Sequence, residues 1–160
     1  MTEPQIQAWL DQEDTLVAQM IREYGQFIQL VAGEPGDVPP DFAYTVGLFG
    51  LGHPELVVLS LGGHTAMGVL NSLGARVRGG ANLVPGELLT FDEWPHRIVV
   101  EEIPNPGEIL FAANRHYKRP DSASVQAFQL TYDDMWGRFP WDDGYANRPE
   151  LQPRPGTWTA

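Results

Sequence analysis

Five residues within one short stretch carry side chains able to do chemistry: Tyr44, Thr45, His53, Glu55 and His64. An imidazole can act as a general base at neutral pH, and a nearby carboxylate can orient it. A hydrolase or isomerase that uses His64 or His53 as base is therefore one reading. His64 follows Gly62-Gly63 at the start of a predicted helix, whose positive end would keep the ring neutral and able to accept a proton; the same position also suits simple helix capping. His53 stands beside Pro54 and two residues before Glu55, so it is either a partner of that acid or a solvated turn histidine. Tyr44 and Thr45 offer adjacent hydroxyls, but neighbours on a regular strand point to opposite faces. Only one of them can enter a given pocket unless a bulge intervenes.

A second constellation lies in "YDDMWGRFPWDDGY", residues 132–145. Its paired aspartates could share a proton or hold an oxygen-loving divalent cation, although the spacing matches no EF-hand loop. Solvated loop acids are the plainer alternative. Arg138 is expected to stack on a ring or bind an acid, and Trp141 to pin the segment to the body. The candidate ligand-binding set is thus Tyr44, Thr45, His53, Glu55, His64, Arg138 and Trp141.

Other chemistries find no signature. Cysteine is absent, which removes thiolate nucleophiles, disulfides and cysteine metal sites. The four histidines, His53, His64, His96 and His116, are scattered with no pair at helical spacing, so no metal site is predicted. "GLFGLG", residues 47–52, has its glycines in the wrong order for a dinucleotide turn and precedes a strand rather than a helix. Neither a phosphate-binding Gly-Lys-Ser/Thr loop nor a Gly-x-Ser-x-Gly elbow is present. A net charge of −11 repels a polyphosphate backbone, and the ten basic residues form only small clusters, so nucleic acid is not an expected partner. No apolar run reaches the roughly 20 residues of a membrane span, and the acidic N-terminus lacks a secretory pattern. A cytoplasmic protein is expected.

The elements that must position these residues follow from periodicity. The chain is the size of one domain, residues 1–160. Thr2 and Gln5 have capping-box spacing, and an apolar stripe from Ile6 to Tyr24 predicts a helix ending at Gly25. "QFIQLVA" is a predicted strand, and 33–41 a proline-glycine loop. Residues 42–49 and 55–61 read as a strand pair, the second apolar on both faces and hence central. Met67, Leu70, Leu73 and Val77 predict a helix stopped at Gly79-Gly80. "GELLTFD" and "HRIVVEEI" predict another strand pair. Asn105, Pro106 and Glu108 predict a capped helix over "ILFAANRHY", and "SVQAFQLTY" a last strand. Residues 133–160 are expected to be an ordered, irregular wrap rich in tryptophan and proline. The class is α+β, with a mixed or mainly antiparallel sheet forming a sandwich or partly open barrel.

"FAYTVGLFGLGHPELVVLSL", "IREYG", "FQLTYDDMWGRFPWDDGY" and "QPRPG" together resemble a bacterial family known only as domain of unknown function DUF4262, over about Trp9 to Gly156. The chain departs from that pattern at Gln26-Phe27, where the family carries a tryptophan. The resemblance implies a bacterial protein and brings no activity, cofactor or catalytic residue. The function expected is a module that binds a small ligand or a protein partner at a corner formed by Tyr44, His53, Glu55 and His64, roofed by residues 136–141. The alternative enzymatic readings are a flavin-type oxidoreductase on a split-barrel-like sheet, or the histidine-dependent hydrolase or isomerase above. A surplus apolar face on the first helix leaves room for a homodimer.

Overall fold

The computed structural model describes every residue except Pro35 and Asp37. The loop expected over 33–41 includes those two positions, which lie outside the described residues. Helix α1 (Glu3–Tyr24) begins as its sequence dictates: Thr2 caps the amide of Gln5, the Gln5 side chain returns the bond, and Gly25 ends the helix at φ +86°. Strands β1 (Phe27–Val31), β2 (Phe42–Val46) and β3 (Glu55–Leu59) form an antiparallel meander. After helix α2 (Gly63–Arg78) come β4 (Leu88–Leu89), β5 (Ile98–Glu102), the short helix α3 (Phe111–His116) and β6 (Ala127–Tyr132). The six strands make one open sheet in the order β1-β2-β3-β6-β5-β4, antiparallel except at the central β3–β6 pair. The α+β class and the mixed sheet hold.

β3 is buried along all five residues, as its unbroken apolar run requires. Leu56 and Val58 face α2, packing with Val69, Leu70 and Leu73. Val57 and Leu59 face the other side, with Val17 of α1, Ala113 of α3 and Trp158 of the tail. Helices thus cover both faces.

Four local expectations are corrected. β2 ends at Val46 rather than Phe49, because Gly47 at φ +135° leaves the extended region and Phe49–Leu51 forms a 3₁₀ turn. Met67 is exposed; the buried stripe of α2 runs through Ala66, Leu70, Leu73 and Val77, about 100° away from it. "GELLTFD" contributes only Leu88–Leu89 to the sheet. The well-signed helix over 105–117 shrinks to α3. Asn105 spends its amide donor on Glu108 and on the Trp158 carbonyl instead of accepting from the helix. A side chain at Gly107 would collide with the backbone of Asp121, and this close packing holds Pro106–Glu108 in a 3₁₀ turn.

Among the described residues no helix is long and apolar enough to cross a membrane.

Candidate functional site

Glu55 begins β3 with no solvent exposure, and its carboxylate gathers the turn that precedes it. Thr45 Oγ1 donates to Oε1 at 2.8 Å and the Leu48 amide at 3.0 Å, while the amides of Gly47 and Phe49 donate to Oε2 at 3.1 and 3.0 Å. The Thr45 hydroxyl also accepts from the Leu56 amide, in place of a regular ladder bond. Burial pushes the Glu55 carboxyl up to about 6, against the lowering effect of those four donors. With its lone pairs spent, this carboxylate closes a turn and has no free face for a substrate. Tyr44 lies on the opposite side of β2, as strand alternation requires. Its hydroxyl accepts from the Ala112 amide at 2.9 Å, and burial pushes it up to about 12.

His53 is fixed at both ring nitrogens. Its Nδ1 lies 2.7 Å from the Pro54 carbonyl, which can only accept, and its Nε2 accepts from the Leu83 amide at 3.1 Å. Those partners select the Nδ1–H tautomer and leave no nitrogen free to act as a base. His64 is exposed at the start of α2, beyond the other end of β3. A strand of five residues spans roughly 16 Å, so His64 cannot join His53 and Glu55 in one pocket. The expected corner does not assemble: Thr45, His53 and Glu55 form a closed turn, Tyr44 faces elsewhere, and His64 stands apart.

The tail motif is also mostly architecture. Asp134 accepts from the amides of Trp136, Arg138 and Ala146, and Asp133 binds His96 and Arg97. Asp133 and Asp134 are buried, contrary to the reading of solvated loop acids, whereas Asp142 and Asp143 are exposed as that reading expects; no cluster suited to a metal ion occurs among the described residues. Arg138 is exposed and reaches the Gly144 carbonyl at 3.3 Å. Trp141 stacks on Phe139 at 5.0 Å, and the Arg154 guanidinium lies over the Trp141 ring at 4.9 Å. His96 Nδ1 is 2.9 Å from Asp133 Oδ1, and its Nε2 has no partner among the described residues.

A different place has the shape of a binding site. Where α1 and α3 cross the sheet they leave a cleft of about 390 Å³, floored by Val17, Val31, Phe42, Tyr44 and Ile109. Trp9 on α1 and Phe111 on α3, each about half exposed, form its walls. Arg115 of α3 grips Asp14 of α1 through two bonds of 2.7 and 2.9 Å. His116 lies beside this pair, and burial pulls its imidazole below the ordinary value, against the raising effect of Asp14. A wider hollow of about 970 Å³ around Asn105, Arg119 and Asp121 is made of loop residues rather than core ones.

Of the candidate ligand-binding set, only Tyr44 reaches the cleft. Trp9 falls within the apolar stripe from Ile6 to Tyr24, and His116 is one of the four scattered histidines. The pairing of Asp14 with Arg115, 101 residues apart, has no local signal. Gln26 is buried and bonded to the Leu70 carbonyl and to Arg78.

The family model "Domain of unknown function (DUF4262)" matches residues 20–146 of the 160, and the chain belongs to that family. Residues 9–17, the α1 wall of the cleft, lie outside the matched span. No curated protein and no solved structure matches the chain.

Proposed function

We propose that this member of the family is a non-catalytic module that binds a small, largely apolar molecule in the cleft between α1 and α3. The observation that supports this reading is the combination of an apolar floor, two half-exposed aromatic walls and a few polar groups at the rim. Small-molecule sites have this make-up, and about 390 Å³ falls within their usual roughly 300–1,000 Å³. The exposed rings of Trp9 and Phe111 offer large contact area at little entropic cost. The cleft's donors give no particular reason to expect a flavin, since its guanidinium, Arg115, is already committed to Asp14.

The neutral fluorophore N-phenyl-1-naphthylamine tests the reading. Its emission is expected to rise on mixing with the native protein. The double substitution Trp9→Ala, Phe111→Ala should weaken binding by about tenfold or more, since each aromatic contact contributes on the order of 1 kcal/mol. His64→Ala should leave it unchanged. Equal binding by the double variant, or no rise with the native protein, contradicts the proposal.

A second reading draws on one observation, the hydrogen bond between His96 Nδ1 and the buried Asp133 carboxylate. That pairing orients an imidazole as a general base. It would support an acid–base enzyme whose activity, on a substrate found by screening, disappears in both His96→Ala and Asp133→Asn.

A further inference from the structure

The charges around the cleft are unequal, and they narrow the class of ligand. Besides Tyr44, whose hydroxyl is bound by the Ala112 amide, four titratable side chains line it: Glu13 and Asp14 from α1, Arg115 and His116 from α3. Asp14 and Arg115 neutralise each other through their two-bond contact. Burial disfavours the cationic form of His116, against the raising effect of Asp14. Glu13 is partly buried and, among the described residues, has neither a hydrogen bond nor an ion pair. This carboxylate therefore lines an apolar cleft with no cation of the described residues paired to it. The aromatic faces of Trp9 and Phe111 carry negative quadrupoles that favour the same sign of ligand, and the net charge of −11 attracts cations over a longer range.

Resting on the reading of the cleft as a ligand site, we infer that its ligand is a primary amine with an apolar, ring-sized body. The body lies on Val17, Phe42 and Ile109 between the two aromatic walls, and the ammonium pairs with Glu13. An anionic ligand meets the opposite situation: Arg115 is occupied, and Glu13 repels it.

Three compounds of nearly equal size separate the contributions: phenethylamine, 2-phenylethanol and 3-phenylpropanoate. Each is titrated into the whole protein and into Glu13→Gln, and binding is followed by ¹H–¹⁵N chemical shifts. The native protein should bind the amine about fivefold tighter than the alcohol, as expected of one incompletely screened ion pair, and the carboxylate most weakly. Glu13→Gln should erase the preference for the amine and leave the alcohol unchanged. Equal affinity for amine and alcohol, a preference that survives Glu13→Gln, or tightest binding of the carboxylate overturns the inference. Failure of all three compounds overturns it too. In that event, persistent binding of N-phenyl-1-naphthylamine shows that the cleft reading stands without the amine, and loss of that binding shows that both are wrong.

Discussion

The turn around Glu55 and the cleft between α1 and α3 use polar and aromatic residues in opposite ways. At the turn, a carboxylate, a hydroxyl and three amides are buried and satisfied by one another, so every polar atom serves the fold. At the cleft, the floor is ordinary core, the aromatic walls stay half exposed, and Glu13 has no partner among the described residues. The residue types that suggest chemistry in a sequence are those that a buried turn also needs. Spare capacity for a ligand shows only when the partners are known.

Substitutions should divide along this line: changes at the turn cost stability, and changes at the cleft cost binding. The largest effect is expected for Glu55→Ala, which leaves the Thr45 hydroxyl and three amides without an acceptor. A loss of about 4 kcal/mol in urea unfolding follows from such unsatisfied buried donors. A loss under about 1 kcal/mol would remove Glu55 from its role as the centre of the turn.

The same carboxyl gives a pH signature. Its value in the fold, about 6, lies above the ordinary 4.5, so the protonated form favours the folded state. That contribution is complete below pH 4.5 and is lost as pH rises through 6. It amounts to about 2 kcal/mol. The stability gap between the native protein and Glu55→Gln should therefore shrink by that amount between pH 4.5 and 7.5. A gap that widens instead would mean that the four donors outweigh desolvation.

Gly74→Ala probes a third buried polar residue. A methyl there would run into the Gln26 amide, which is itself tied to Leu70 and Arg78. Overpacking of this kind costs about 2 kcal/mol, read from the thermal midpoint. The smallest effect belongs to the cleft rim: Asp14→Ala breaks an exposed ion pair and should lower stability by less than about 1 kcal/mol. It also frees Arg115, so binding of 3-phenylpropanoate should strengthen while the unfolding curve barely moves.

Much of the fold was legible. The capping box and the glycine stop bounded α1, and the unbroken apolar run at 55–59 placed β3 in the centre of the sheet. α3 was overread because Asn105, Pro106 and Glu108 fit a cap locally, whereas Gly107 and Asp121 pack together across the fold and hold the segment in a tighter turn. The site was far less legible. Tyr44, Thr45, His53 and Glu55 drew attention by type, and three of them close a turn. Glu13, Asp14 and Arg115 look like solvated helix charges until α1 and α3 are set side by side. No periodicity encodes a contact across 101 residues.

Chemical-shift mapping with the neutral probe 2-phenylethanol tests the central claim most directly, because it asks where a small apolar molecule goes without presuming its charge. The amides of residues 9–17 and 109–116 should shift together along one saturable curve, with residues 47–55 unmoved. Shifts centred on residues 47–55, or on 93–97 and 134–141, would contradict the assignment of the cleft as the binding site.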